Sequence, residues 1–231
     1  MQVEVRTAVR VAVLGGHGKT GRAVGAALAD RGAEALPLGR AEWSSLAAAV
    51  AGCDAAYVIA PNLHPDEPAY VAEALDALHA ADVGRVVYHS VASPYVPGMP
   101  HHLGKAAGED LIRRSGLDWT ILQPGAYLQN LDLTGRLEVP YSLDVPFGFL
   151  DLADLGRAAA VVLTEPGHGG ATYELATRVA TVRELADEAG VEARRVDDPG
   201  THPWLTAMFA YYDRHGLPAG TRVLGALLRR S

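Results

Sequence analysis

The sequence predicts an α/β fold, a doubly wound parallel sheet with helices on both faces. Three observations lead there. Over residues 9–125, short apolar runs rich in β-branched residues alternate with longer helix-forming stretches, and that alternation sends a chain through helical crossovers between parallel strands. The first run, residues 9–14 (VRVAVL), passes directly into Gly15, Gly16, Gly18 and Gly21, after which residues 22–28 resume with helix formers. The 231 residues are 49% hydrophobic and 20% charged, a foldable composition long enough for one domain or a domain with a small appended lobe.

Strand, glycine turn, helix is the setting in which a glycine motif means phosphate binding. The helix N-terminus leaves amides unpaired and carries partial positive charge, and glycines let the backbone approach a pyrophosphate. Gly18-Lys19-Thr20 matches the end of a P-loop, G-x-x-x-x-G-K-[ST], but that motif needs a glycine at position 13, where Val13 stands inside the strand. The same residues satisfy G-x-G-x-x-G through Gly16, Gly18 and Gly21, and G-x-x-G-x-x-G through Gly15, Gly18 and Gly21. Both are dinucleotide patterns. Gly15, His17, Gly18, Lys19, Thr20 and Gly21 are therefore the expected cofactor contacts of the turn.

Residues 34–38 read as the second strand, ended by Gly39-Arg40. That end borders the adenosine ribose in a dinucleotide fold, where an acid favours NAD. Arg40 stands there instead, and a guanidinium forks well onto a phosphate. With Lys19 and Arg22 adding charge from the turn, the expectation is NADP(H) in preference to NAD(H); the alternative is that Arg40 is a solvated loop residue.

Residues 43–50 read as a short helix and residues 55–60 (AAYVIA) as a buried third strand, whose end at Ala60 and Pro61 also borders the cofactor. Asp66-Glu67-Pro68 opens a helix to about residue 81, with Val71, Leu75 and Leu78 inward. Residues 85–90 (RVVYHS) are the fourth strand, followed by a proline-punctuated loop over 92–100 and a helix over 101–115 that Gly116 stops. Residues 119–122 are the fifth strand, ending in Gln123-Pro124-Gly125, with Pro124 at the cofactor. Residues 130–146 loosen into loops, 151–164 read as helix and 171–176 as a sixth strand. Thr181 caps a helix over 182–189 with Glu184 at capping-box spacing, and 204–215 reads as the last well-formed helix.

Composition excludes several classes of function. The net charge of −7 with no basic stripe gives nucleic-acid binding no electrostatic support. No run of about 18 apolar residues suggests a transmembrane helix, and the arginines near the N-terminus precede no apolar core of a secretory signal. The single cysteine, Cys53, reads as a buried small hydrophobe and fits a reducing cytoplasm. Nine histidines occur without a His-x-x-x-His pair, and His101 and His102 are adjacent and point apart on a helix, so no metal site is expected. A G-x-S-x-G elbow is absent, which argues against an α/β-hydrolase.

Taken together, several motifs resemble those of the NmrA-like members of the atypical short-chain dehydrogenases/reductases. They are Gly15-Gly16-His17-Gly18-Lys19-Thr20-Gly21, Val87-Tyr88-His89-Ser90, His101 through Lys105, Gly116 through Gly125, Gln129-Asn130, Phe149 through Gly156, and Tyr211 through Leu217. The resemblance covers nearly the whole chain. It implies a Rossmann sheet holding NAD(P)(H), with a small C-terminal substrate lobe over the nicotinamide end. The expected layout is one NAD(P)-binding domain over 1–231, with a Rossmann core of 9–131 plus 151–176 and a substrate-side lobe of 132–150 plus 177–231. Many relatives reduce quinones, dyes or unsaturated small molecules; others bind the cofactor without catalysis and act as sensors or regulators.

Typical reductases of this superfamily use Tyr-x-x-x-Lys, in which the lysine one helical turn on lowers the phenol's pKa and contacts the cofactor ribose. Here the tyrosine position holds His101, and Lys105 remains. Histidine can donate a proton, but a neighbouring ammonium pushes its pKa down and weakens it as an acid. His102, about 100° round the helix, is expected to be solvated. Ser90, at the end of the fourth strand, is placed to hydrogen-bond a substrate oxygen, with Ser93 as its rival, and either hydroxyl could instead stabilise a turn. Tyr127, Gln129 and Asn130 follow the fifth strand, where the substrate pocket should open, and Tyr141, Phe147 and Phe149 either wall it or pack the lobe.

The reading is an NADPH-dependent reductase of a small conjugated or aromatic carbonyl or quinone-type compound, catalytic through His101, Lys105 and Ser90, with Ser90 and Lys105 also contacting the cofactor and Ser93, Tyr127, Asn130 and Phe149 toward the substrate. Its alternatives are a noncatalytic NADP(H)-binding redox sensor or regulator, and a nonredox isomerase, dehydratase or cyclase on the same scaffold. The partner is a small molecule, with no nucleic acid and no membrane, and the protein a cytoplasmic monomer or homodimer.

Overall fold

A computed structural model describes residues 8–230. Residues 1–7 and 231, which the expected single domain includes and where the search for a secretory signal begins, lie outside the described residues. The chain runs β1 (Arg10–Leu14), α1 (Lys19–Asp30), β2 (Glu34–Leu38), α2 (Leu46–Val50), β3 (Ala55–Val58), α3 (Glu67–Ala80), β4 (Arg85–His89), α4 (Pro100–Arg113) and β5 (Asp118–Pro124). It continues with β6 (Ala126–Tyr127), β7 (Leu137–Val139), β8 (Phe147–Leu150), α5 (Leu152–Thr164), β9 (Ala171–Leu175), β10 (Arg178–Ala180), α6 (Val182–Ala189), β11 (Ala193–Arg195), α7 (Pro203–His215) and α8 (Arg222–Leu227).

The main sheet has the order β2-β1-β3-β4-β5-β9, and every pair in it is parallel. Strand order reverses at β1, so the crevice outside the carboxyl ends of the strands opens beside it. β1 and β3 are buried on both faces, as their near-continuous apolar runs require. One face packs Val11, Val13 and Tyr57 against Val24 and Leu28 of α1 and Leu155 and Val162 of α5. The other packs Ala12, Leu14 and Val58 against Val71 and Leu78 of α3 and Ile112 of α4. Helices thus cover both faces, and the fold is the expected doubly wound parallel sheet. Pro37 lies in β2, an edge strand, where its missing N–H costs no ladder bond.

A third core gathers Phe147, Phe149, Leu143, Val182, Leu185, Tyr212 and Leu217 beneath the small sheet β10-β8-β6 and the pair β11-β7. Three local expectations change. The helix expected over 43–50 divides into a 3₁₀ turn, Arg40–Ser45, and the short α2. Residues 130–146 contain β7, which pairs in parallel with β11. A further helix, α8, follows the one expected to be last. Its Leu224 packs into the core of the main sheet, so residues 222–227 return to the dinucleotide side and not to the lobe.

Asp154, buried at the start of α5, ties these parts together. It accepts from Thr177 Oγ1 at 2.9 Å, from both terminal nitrogens of Arg230 and from Arg157. The Arg230 guanidinium, ahead of Arg157 and Thr177, holds its carboxyl well below the usual carboxylate range against the opposing effect of burial. A carboxyl depressed in the folded state stabilises fully above its unfolded pKa of about 4 and loses that contribution as pH falls through the folded value. Asp154→Asn should therefore cost about 1–2 kcal/mol at neutral pH, read by urea unfolding, and the gap to the parent protein should shrink below pH 4.

Candidate active site

The cleft at the carboxyl ends of the strands encloses about 1030 Å³ and runs from Arg40 and Trp43, after β2, past the glycine turn to Ser90, Lys105 and Gly125. Its floor follows from the turn. Gly15 has φ +83°, a left-handed conformation open to glycine, and its N–H donates to Leu38 O at 3.0 Å. Gly18 caps α1, and a Cβ there would meet only Gly15 O, at 3.4 Å, so the space in front of it is free. The bond from Arg22 N to Gly18 O, 2.9 Å, begins the helix, which leaves the amides of residues 19–21 without intrahelical partners. A bare Cα and three orphan amides at a helix N-terminus fit a pyrophosphate. Thr20, Ala60, Pro61 and Pro124 line the same cleft.

The cations expected around a 2′-phosphate are dispersed. Arg40 lines the cleft. Arg22 is exposed and does not line it. Lys19 turns to the opposite side, where its Nζ donates to Asn130 Oδ1 at 2.5 Å and lies 5.8 Å from the Tyr127 ring. It lines the cleft with its ammonium on the segment that follows β5. His17 is exposed outside the cleft wall, with its ring against Gly39. Three features here went unread in the sequence. The Glu42 carboxylate accepts from Gly39 N at 2.7 Å, and Trp43 stacks on Tyr70 with centroids 4.2 Å apart, His64 tilting against Tyr70 at 5.4 Å.

At the inner end, two buried carboxylates organise the site. Lys105 Nζ pairs with Glu67 Oε1 at 2.7 Å and donates to His89 O at 3.0 Å, while Tyr88 donates to the same Glu67 oxygen at 2.7 Å. Ser90 Oγ donates to Glu109 Oε1 at 2.5 Å, which also accepts from Gln123 Nε2 at 2.7 Å. Glu109 Oε2 accepts from Arg113 at 3.0 Å and from Tyr95 at 3.2 Å. Glu67 occupies the first turn of α3, where an acid reads as a dipole partner, and Glu109 a mid-helix position of α4 with no motif to mark it. Only the packing of the helices onto the sheet reveals both.

His101 lines the cleft and stacks on Trp204 at 6.4 Å, and its Nδ1 is buried without a partner. Burial, then Lys105 and His202, lowers its pKa to about 4. His102 is fully buried and not solvated, because α7 covers that side of α4: its Nδ1 donates to Ser93 O at 3.2 Å and its Nε2 faces the Tyr212 hydroxyl at 3.4 Å. A chain of hydrogen bonds unforeseen in the sequence runs Tyr57 Oη, His89, Tyr127 Oη, with 2.7 Å at His89 Nδ1 and 2.9 Å at His89 Nε2. Burial, reinforced by Lys105, lowers His89 to about 3, and burial raises both phenols.

Five residues weighed for the pocket lie elsewhere, and the three aromatics among them, Tyr141, Phe147 and Phe149, take the lobe-packing alternative. Phe149 is sealed in the third core, 1% exposed and stacked on Phe147. Tyr141 packs on Phe147 and Phe209 there as well. Phe147 and Phe149, two apart on β8, share its inward face. Ser93 sits outside the cleft wall at φ +54°, shaping the loop through its carbonyl. Gln129 caps α5, donating to Asp151 at 2.8 Å and accepting from Leu152 N at 3.1 Å. Tyr127 and Asn130 do line the cleft. Among the described residues no cluster of three or more His, Cys, Asp or Glu side chains could hold a metal ion, and no helix is long and apolar enough to cross a membrane.

The sequence model of a family described as NAD(P)H-binding matches residues 33–166. The chain is 31% identical over 140 residues to an NAD(P)H azoreductase of Xenophilus azovorans. That match takes in 57% of this chain and 48% of the other, so the chain spans about half the length of this curated relative. Among solved structures, triphenylmethane reductase of Citrobacter sp. complexed with NADP(H) superposes with a TM-score of 0.78 at 21% identity, covering 95% of each chain. NmrA, a negative transcriptional regulator, superposes with a TM-score of 0.78 at 15% identity, covering 96% of this chain and 92% of that one. At such identities the likeness is one of fold. With a glycine turn shaped for a pyrophosphate and the family's sequence pattern over more than half its length, the chain belongs to the NAD(P)H-binding family and shares its fold with NmrA.

Proposed function

We propose that the protein is an NADPH-dependent reductase of a small, conjugated or aromatic carbonyl or quinone-type compound. The observation that carries this reading is the absence of a strong acid among the groups lining the inner cleft. His101 is neutral at physiological pH, the Tyr127 phenol is pushed up by burial, and the Lys105 ammonium is paired with Glu67. Bound against the glycine turn, the reduced dinucleotide would supply a hydride. A simple ketone then needs a proton as the alkoxide forms. A quinone or an extended conjugated acceptor spreads the new charge over its own π-system, so weak donors such as His101 and water suffice. The names of the azoreductase relative and of the triphenylmethane reductase point to extended dye substrates and support the same class.

Arg40 would hold the 2′-phosphate, and the Glu42 carboxylate nearby is engaged on Gly39 N. Gly15, Gly18 and Gly21 with the amides of residues 19–21 would hold the pyrophosphate, and the third proton of Lys105 would reach a ribose hydroxyl. A second reading, a cofactor-binding regulator without turnover, is favoured by His101 in the tyrosine's place and by the fold shared with NmrA. NmrA is a negative transcriptional regulator.

Arg40→Ala should weaken NADPH binding about 10-fold, the loss of one charge-assisted contact, and leave NADH nearly unchanged, by fluorescence titration. Equal effects on both cofactors would remove the 2′-phosphate role. With NADPH and a panel of quinones, azo dyes, enones and simple ketones, cofactor absorbance should fall with the quinones and dyes and stay constant with the simple ketones. Saturable binding with no turnover across the panel would leave the regulator; conversion without net cofactor oxidation would mark a nonredox enzyme. Because His101 loses its proton near pH 4, kcat/KM should stay flat between pH 6 and 8; a decline centred near 6.5 would identify an ordinary imidazolium acid.

A further inference from the structure

Ser90 is 2% exposed and lies where β4 ends, and it lines the cleft at its inner end. Its hydroxyl has one proton and two lone pairs. The proton is taken. Glu109, 0% exposed, receives four donors: Ser90 and Gln123 on Oε1, Arg113 and Tyr95 on Oε2. The Arg113 guanidinium balances its charge, and an ionised carboxylate only accepts. Ser90 therefore turns its O–H into the protein and only its lone pairs toward the cleft. A bare carbonyl oxygen placed there would find no donor in it. The group that suits Ser90 carries an N–H or O–H.

The sheet says which part of a dinucleotide arrives there. β1 carries the glycine turn and β4 carries Ser90, with β3 between them. Two strand spacings, about 10 Å, separate the pyrophosphate floor from Ser90, on the side away from Arg40. We infer that Ser90 is the hydrogen-bond acceptor for the carboxamide N–H of the nicotinamide, with Glu109 as the positioning residue that fixes its proton. This rests on the reading of the cleft as a dinucleotide site; it gives the expected cofactor contact of Ser90 a direction and a partner, and replaces the expected hydrogen bond to a substrate oxygen. Recognition of the carboxamide then sets the ring's orientation, because its amide nitrogen must face α4 and its carbonyl must face elsewhere.

The test compares binding of NADP+ with that of its 3-acetylpyridine analogue, which keeps the carbonyl and lacks the N–H donor. Calorimetric titration of the full chain reads both affinities, with no turnover involved. The parent protein should favour NADP+ by roughly 3- to 10-fold. Ser90→Thr, which keeps the hydroxyl, should keep the preference, and Ser90→Ala should lose it. Glu109→Gln offers Ser90 an N–H donor, frees its proton for the cleft and should lower or invert the preference. Should that variant fail to fold, by circular dichroism and thermal melting, the pair at position 90 decides alone. Equal affinities in the parent protein, or a preference that survives Ser90→Ala, would overturn the inference while leaving the dinucleotide site intact. Failure of the parent protein to bind either NADP+ or NADPH would overturn the reading of the site and this inference with it.

Discussion

A Cβ on Gly21 would stand 2.4 Å from Gly15 O, and one on Gly16 would stand 2.6 Å from the Cα of Pro37. These two close approaches lock α1 against the end of β1 and β1 against β2. Gly15 completes the turn at a positive φ, and the helix starts with its free amides facing the crevice between strands. Each later feature of the cleft is measured from that point. Arg40 lies to one side because β2 pairs with β1 in register, Leu14 opposite Leu38. Ser90 lies to the other because β3 and β4 continue the parallel ladder.

Above this floor, the chemistry is set by where charge can be buried. Glu67 and Glu109 are among the least exposed polar groups of the described residues, and each pairs with a residue that lines the cleft. Glu67 compensates the Lys105 ammonium inside the protein, since an unpaired buried charge would be strongly destabilising. Glu109 holds the Ser90 proton. With these charges compensated, burial is the leading cause of the lowered His89 and His101 pKa values, ahead of Lys105. The inner cleft becomes a neutral, weakly acidic surface.

The chain of Tyr57, His89 and Tyr127 belongs to the same design. Three neutral groups from β3, β4 and β6 satisfy one another where the pleats bring them together, leaving a rigid wall beside the glycine turn. Rigidity here serves binding, because a wall whose polar groups are already paired does not reorganise when a ligand arrives.

Periodicity and turn chemistry made the sheet, its helices and the glycine turn legible in the sequence, since these depend on residues close together along the chain. The run of residues 9–14, the four glycines after it and the proline-stopped strand ends were enough. Arg40, Ser90, Tyr127 and Asn130 were found as cleft residues for the same reason, since strand ends in a parallel sheet have a known side, while His101 and Lys105 were found through the family's Tyr-x-x-x-Lys pattern. His17, Ser93 and Phe149 were misplaced, and Lys19, though in the cleft, points toward Asn130, because a side chain's direction at a turn or in a short strand is decided by packing that local sequence does not carry. The sequence by itself determined what kind of ligand the turn can hold. The tertiary structure decided which way each polar group faces, through carboxylates that lie 19 and 38 residues away from Ser90 and Lys105 along the chain, because pairing buried charge is a condition on the folded whole and leaves no local signature.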